Sequence, residues 1–414
     1  MNRVLLIEDG STLRKLLKQV IQEKLGIPVD ACETMAEAVK HLNECQDYFA
    51  ALVDLHLPDS PDGEVIDEVL KHKLPTIVLT GDFDETKSQE FLKKGALDYI
   101  IKDSHYSFKY ALKLLDRLRR NQYCKILMVD DSATSRTMTS KMLKRQLFPV
   151  LEAEDGLQAL ELLEKHKDIR LVLTDYNMPI IDGFELVRSI RSQFDNRAIA
   201  IVGISGSNDK ALSAKFIKHG ADDFITKPFV PEELQCRIFR TLETMELMEE
   251  IKQNANRDHL TQVYNRGYMY EYGEPMLKRA RDEQSDFSLA VVDIDNLKDI
   301  NESYGHRAGD AILKQLANAL KTVFSKCTTI RLGSEDFCLI MPGLDNQTAQ
   351  ERLNKLKERM EQSAMNWEGD TIWFSFSAGV TSILADTLEK QLDTAVLLLR
   401  EAKESGRNLV VGDD

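Results

Sequence analysis

The 414-residue sequence contains no Cys-x-x-Cys pair. Its six cysteines, Cys32, Cys45, Cys124, Cys236, Cys327 and Cys338, are scattered. That spacing argues against structural zinc and against a disulfide framework, and fits reduced thiols of a cytosolic protein. No apolar run approaches the roughly 20 residues of a membrane-crossing helix. The first such run, Val4 to Ile7, leads straight into Glu8-Asp9, unlike a secretory leader. A cytoplasmic protein without a membrane partner is the expectation. Positive charge is also scarce: 54 Lys and Arg against 68 Asp and Glu leave a net charge of -14. Such a chain repels nucleic acid, so no nucleic-acid partner is expected. With 43% hydrophobic and 29% charged residues the composition is that of a globular protein. The chain is too long for one core, so several domains are expected.

The organising feature is an internal repeat. "RVLLIEDGSTLRKLL" (Arg3 to Leu17) returns as "KILMVDDSATSRTMT" (Lys125 to Thr139), and "AALVDLHLPD" as "RLVLTDYNMP". "TIVLTG" returns as "AIVGISG", and "KKGALDYIIKD" as "KHGADDFITKP". A period of roughly 120 residues is a duplicated domain rather than a solenoid. Each copy alternates short β-branched runs with amphipathic stretches, the pattern of a parallel sheet covered by helices on both faces. Ligands of such sheets bind beyond the carboxyl ends of the strands. Glu8-Asp9, Asp54, Thr80 and Lys102 all follow apolar runs and should converge on one edge. Asp130-Asp131, Asp175, Ser205 and Lys227 should do the same in the second copy.

The chemistry of that set is coherent. Two acids can hold a hard divalent cation, Mg²⁺ above all, which prefers oxygen ligands. The third carboxylate can attack a phosphoryl group, and the lysine and hydroxyl can then bind the phosphoryl oxygens. Both copies resemble response-regulator receiver domains over nearly all of residues 1–240. The resemblance implies a flavodoxin-like fold and assigns Asp54 and Asp175 as phosphoacceptors. It makes Glu8, Asp9, Asp130 and Asp131 metal-binding acids, Thr80 and Ser205 switch hydroxyls, and Lys102 and Lys227 active-site lysines. Tyr99 and Phe224 take the aromatic switch position, and Lys227-Pro228 the usual cis bond. A sensor histidine kinase or phosphotransfer protein is the implied partner. The first copy departs from the pattern with Asp103 after its lysine and with the longer loop "LPDSPDGEV". Neither departure removes a chemical group.

From Pro231 to about Asp258 no glycine intervenes. Leu234, Ile238, Leu242, Met245, Met248 and Ile251 recur at spacings of three and four, an apolar stripe on one long helix. Its first half fits packing on the receiver. Its second half fits either that packing or a coiled-coil-like stalk joining a homodimer.

Beyond Asp258 the character changes. "FSLAVVDIDNLKDINESYGHRAGDAILKQLANAL" reads as strand, polar loop and helix, with Asp293 and Asp295 at the strand end. "TTIRLGSEDFCLIMP" reads as a hairpin around Gly333 to Asp336, and "TIWFSFSAGVTS" as one further strand. "LLLREAKESGRNLVV" closes with a helix carrying Lys403, a Gly406 stop and Arg407. Strand-end and hairpin acids could hold Mg²⁺ against a triphosphate, with Lys403 and Arg407 neutralising its oxygens.

"RDHLTQVYNR", "DIDNLKDINESYGHRAGD" and "AKESGRN" together resemble the GGDEF family of diguanylate cyclases over about residues 258–412. The family joins two GTP molecules into cyclic di-GMP, one bound per subunit of a dimer. The resemblance implies a ferredoxin-like, palm-type α+β domain. It assigns Asp293, the Ile294 carbonyl and Glu335 to the metal, and Glu335 and Asp336 to catalysis. Asn301 and Asp310 would recognise guanine, and Lys403 and Arg407 would bind phosphates. Three departures stand out. Ser334 replaces the second glycine of the signature hairpin, where the backbone could need positive φ. Asp336 replaces a glutamate and is one methylene shorter, and Glu302 replaces an aspartate. The R-x-x-D product-inhibition motif is absent, with Phe324-Ser325-Lys326-Cys327 in its place. The expected organisation is receivers at 1–120 and 121–240, a linker helix at 241–258 and a cyclase-type domain at 259–414. Two functions follow: a phosphorylation-controlled diguanylate cyclase, or a regulator whose altered hairpin binds GTP, cyclic di-GMP or a protein partner without turnover.

Overall fold

A computed structural model describes residues 3–81, 84–103, 105–194, 198–206 and 210–413. The chain divides into two compact units, 1–248 and 249–414. The first unit holds two five-stranded parallel sheets of the same topology. In the first receiver the strands are β1 (Arg3–Ile7), β2 (Val29–Cys32), β3 (Tyr48–Asp54), β4 (Thr76–Thr80) and β5 (Asp98–Ile101), in the order β2-β1-β3-β4-β5. They alternate with α1 (Ser11–Leu25), α2 (Met35–Glu44), α3 (Glu64–Lys71), α4 (Glu85–Lys94) and α5 (His105–Asn121). The second receiver repeats this with β6 (Lys125–Val129), β7 (Val150–Ala153), β8 (Ile169–Asp175), β9 (Ala200–Ser205) and β10 (Asp223–Thr226). Its helices are α6 (Ala133–Arg145), α7 (Gly156–Lys165), α8 (Gly183–Gln193), α9 (Lys210–Lys218) and α10 (Pro231–Ala255). Val4 to Ile7 and Ile126 to Val129 are fully buried on both faces, as expected of parallel strands sandwiched by helices.

The two receivers dock through α5 and α10. Phe239 packs against the cores of both. Lys113 reaches Glu243 at 2.6 Å, and Arg117 and Arg120 reach Glu246 at 2.7 and 2.6 Å. Arg117 Nε also donates to Asn121, whose amide donates to the Gln146 carbonyl in the second receiver. The α10 helix has no break between receiver and linker. Leu234, Ile238 and Leu242 are buried, whereas Met248 and Ile251 are 64% and 66% exposed.

The second unit is built on a six-stranded sheet. Its strands are β11 (Tyr264–Asn265), β12 (Phe287–Ile294), β13 (Thr328–Arg331), β14 (Asp336–Pro342), β17 (Phe376–Thr381) and β18 (Val410–Gly412), in the order β11-β13-β14-β12-β17-β18. A separate hairpin pairs β15 (Met365–Trp367) with β16 (Asp370–Ile372). The segment that reads as one strand in "TIWFSFSAGVTS" therefore serves two sheets, divided at residues 373–375. The helices are α11 (Arg266–Tyr268), α12 (Glu274–Glu283), α13 (Leu297–Tyr304), α14 (His306–Val323), α15 (Asn346–Glu361) and α16 (Leu388–Glu404). A π-helical turn, Met269–Gly273, joins α11 to α12.

Central β12 is antiparallel to both β14 and β17. Its side chains alternate: Ala290, Val292 and Ile294 enter the core under α14 and α15, and Leu289 and Val291 the core under α12 and α16. Helix α16 lies directly on β17. A Cβ at Gly379 would come within 2.2 Å of the Ala395 carbonyl and the Leu399 amide, so only glycine lets the two backbones meet. No helix among the described residues is long and apolar enough to cross a membrane.

Candidate functional site

In the first receiver, β1 and β3 end side by side and deliver Glu8, Asp9 and Asp54 to one edge. Ligand atoms of all three lie within 4.8 Å of one another. Lys102, just past β5, reaches Glu8 at 2.7 Å and Asp54 at 2.6 Å. Glu8 is 3% exposed, and burial pushes its carboxyl above the usual range against the pull of Lys102. Thr80 is buried at the end of β4. Tyr99 packs inward against the core, and its hydroxyl is buried without a partner.

The second receiver groups Asp130, Asp131 and Asp175 in the same way. Lys227 lies 2.7 Å from Asp130 and 3.3 Å from Asp175, and the Lys227-Pro228 bond is cis. Burial raises the Asp175 carboxyl, opposed by Lys227 and reinforced by Asp130. Asp130 also accepts from the Ser135 hydroxyl at 2.6 Å, a contact with no counterpart at Leu13. Ser205 ends β9, fully buried, and Phe224 packs against Phe216 at 5.4 Å. Three carboxylates gathered around a lysine suit a hard, oxygen-liganded divalent cation in each receiver.

In the second unit, Asp293 faces Asp336 directly across the β12–β14 ladder. Lys403 of α16 makes an ion pair with Asp293. Burial, with the contribution of Asp336, pushes Asp293 up to about 8 against the pull of Lys403. A pair of carboxylates, one buried and one half-buried, beside one ammonium is a donor set that a divalent cation would satisfy. Glu335 is half-buried on the turn that leads into β14, whose Gly333 and Ser334 are exposed. Among the described residues, three-acid groups close enough for one ion occur only in the receivers. Gly333 and Ser334 both have negative φ, so the serine is accommodated without backbone strain. Asn301 of α13 sits over Gly309 of α14, and its Oδ1 is buried without a partner. A Cβ at Gly309 would lie 2.0 Å from that oxygen. Asp310, next in sequence, is exposed on α14 just past its first turn, and Arg407 is exposed on the turn after α16.

Comparison with known proteins gives the same partition. Residues 4–107 and 126–239 match the response regulator receiver domain. Residues 255–409 match the family described as diguanylate cyclase, GGDEF domain. The chain is a response regulator with two receivers and a GGDEF domain. Over 465 aligned positions the regulator is 23% identical to the response regulator PleD of Caulobacter vibrioides, covering 99% of each chain. The crystal structure of a two-component response regulator/GGDEF domain protein is 46% identical, with a TM-score of 0.54, and covers 59% of this chain and 100% of that one. A chemotaxis protein CheY homologue of Campylobacter jejuni is 36% identical over 121 residues, which are 29% of this chain and 93% of that one.

Several residues of the regulator with no assigned role in the sequence prove to hold its sites together. Arg14 and Arg136, at matched positions of the repeat, donate to the carbonyls of Glu8 and Asp130 at 2.7 and 2.6 Å. The repeat itself carried that signal. Asp295, which resembles a metal acid from its strand-end position, instead accepts from the Ser375 and Ser377 hydroxyls and the Asn408 amide. It thereby pins the turn bearing Arg407, where Gly406, Arg407 and Asn408 all have positive φ. Arg331 pairs with Asp258 at 3.0 Å and donates to the Ser334 carbonyl at 2.7 Å, tying the signature hairpin to the start of the domain.

Proposed function

We propose that the regulator synthesises cyclic di-GMP from two GTP molecules under control of receiver phosphorylation. The observation that supports this best is the Asp293–Asp336–Lys403 group at the carboxyl end of the central strand β12, together with the unsatisfied Asn301 amide oxygen on α13. Asn301 and Asp310 would hold the guanine edge, and Lys403 and Arg407 the phosphates. Asp293, the Ile294 carbonyl and Glu335 would hold Mg²⁺, which screens triphosphate charge and polarises the phosphoryl oxygens. Lys403 would leave Asp293 for the phosphates when the metal takes its place. Two such half-sites must face each other, so a homodimer is required.

The phosphoryl group would come from a histidine kinase or phosphotransfer protein onto Asp54 and Asp175. Its charge would draw in Thr80 or Ser205 and shift the Tyr99 or Phe224 face, and the exposed Met248 and Ile251 would pair the linker helices. A purely binding role for the hairpin is not favoured, because Ser334 imposes no backbone strain. The test is incubation with Mg²⁺, GTP and a small phosphodonor. Cyclic di-GMP should form, faster with the donor; GTP that binds without turnover would overturn the reading.

A further inference from the structure

Across the receiver–receiver junction lies a cleft of about 400 Å³ whose charged lining, among the described residues, is cationic: Lys73, Lys94, Lys141, Lys144 and Arg145. Among the described residues no carboxylate lines it, in a chain of net charge -14. Lys94 is neutralised by Asp67 and Glu90, and Lys144 by Glu152. Lys73, Lys141 and Arg145 face no acid among the described residues. The floor is apolar, with Leu74, Pro75 and Leu147. A second hollow of about 140 Å³ opens from the same Lys73, Leu74, Pro75 and Leu147 and continues toward Leu42 and Tyr48. The first receiver supplies one wall and the second the other. Leu147 enters from the second receiver, in a left-handed conformation (φ 67°), and packs on the core of the first.

Helix ends explain part of this charge. Lys94 and Arg145 close α4 and α6, where cations suit the negative end of the dipole. That account does not explain why three unpaired cations share one cleft, where they repel one another unless an anion screens them. The volume suits a small organic ligand. Three free cations suit a dianion, and the apolar extension suits a short hydrophobic group attached to it.

We propose that this cleft binds a small organic phosphate, with its phosphoryl group among Lys73, Lys141 and Arg145 and its apolar part on Leu74, Pro75 and Leu147. Because both receivers contribute walls, the ligand binds the docked pair in preference to separated receivers and stabilises that arrangement by mass action.

The test uses the full chain carrying Asp54→Ala and Asp175→Ala, in chelator, titrated calorimetrically with phenyl phosphate and with inorganic phosphate. Phenyl phosphate should bind one per chain, about tenfold tighter than inorganic phosphate. Lys141→Glu with Arg145→Glu should weaken both by at least about tenfold. Leu147→Gly, which tolerates the left-handed backbone, should abolish only the preference for the phenyl group. Melting curves establish that each variant is folded. Absence of saturable binding, or equal binding by the Lys141→Glu/Arg145→Glu variant, overturns the proposal. A shift in melting temperature without binding by the parent also overturns it, since the cations would then serve only the helix ends. Phosphate bound at Lys403 and Arg407 of the GGDEF domain would survive Lys141→Glu with Arg145→Glu, so the outcome is separable from that of the cyclase reading on which those two residues rest.

Discussion

Asp293 and Asp336 are register partners on adjacent antiparallel strands, so the last acid of the central strand and the first acid of the hairpin strand share one place on the sheet. Lys403 is the ammonium that holds the first of them. Replacing Asp293 by asparagine removes charge while keeping shape. The Asn variant should fold normally and lose at least about tenfold in Mg²⁺-dependent GTP affinity, roughly 1.4 kcal/mol. Calorimetric titration with and without Mg²⁺ measures this, and unchanged affinity would refute a metal role for Asp293.

Gly309 tests the proposed guanine site without replacing a polar side chain. Alanine there would drive its Cβ into Asn301 Oδ1 and turn the amide aside, although alanine favours the α14 helix. GTP affinity should fall by at least about tenfold with thermal stability unchanged or slightly raised. Equal affinity for GTP in the Gly309→Ala protein would remove Asn301 from the recognition site.

The receivers are tested by labelling with a small-molecule phosphodonor and locating the acyl phosphate by mass spectrometry. Parent protein should label at both Asp54 and Asp175, each single alanine variant at the remaining site, and the double variant at neither. Label retained by the double variant would put the phosphate elsewhere.

Asp258 gives a pH dependence. Burial pushes its carboxyl up, but hydrogen bonds from Thr261 and the charge of Arg331 outweigh that and leave it below its ordinary value. A depressed folded pKa contributes stability that is complete above the unfolded value of about 4 and is lost as the pH falls through the folded value. With Asp258→Asn the GGDEF domain should therefore lose part of its stability at neutral pH, and with it part of its sensitivity to acid. The variant should be destabilised at pH 7 by about 1–3 kcal/mol, because Arg331 loses its charged partner and keeps only the Ser334 carbonyl and a neutral amide. The gap between the two proteins should close as the pH drops below about 4. Parallel denaturation curves at several pH values decide it; a gap independent of pH would mean that the pair contributes packing rather than charge.

Much of this architecture was legible because chemistry recurred in order. Glu8-Asp9, Asp54 and Lys102 have counterparts in Asp130-Asp131, Asp175 and Lys227, and parallel strands with buried ends bring each set together. Contacts between distant segments were not legible. Nothing local says that Asp258 meets Arg331, or that Asp295 is occupied by two serines and a backbone amide. The concern over Ser334 likewise needed torsion angles, since a glycine-to-serine change is costly only where φ is positive. The division at residues 373–375 was hidden because an apolar, aromatic-rich run fits one strand or two equally well.

The junction of linker and GGDEF domain carries its own optical label. The rings of Tyr264, Tyr268 and Tyr272 stack at centroid distances of 3.6 and 4.4 Å. Arg257 and Lys252 lie over the two outer rings at 3.9 and 5.5 Å. Three phenols this close couple as chromophores and should give a near-ultraviolet dichroism band that vanishes when the column loosens. Both tryptophans, Trp367 and Trp373, lie farther along the same unit. Phosphodonor added to the unlabelled protein thus starts two clocks, tyrosine dichroism at the junction and tryptophan fluorescence beyond it, and their order reads the direction in which the signal travels.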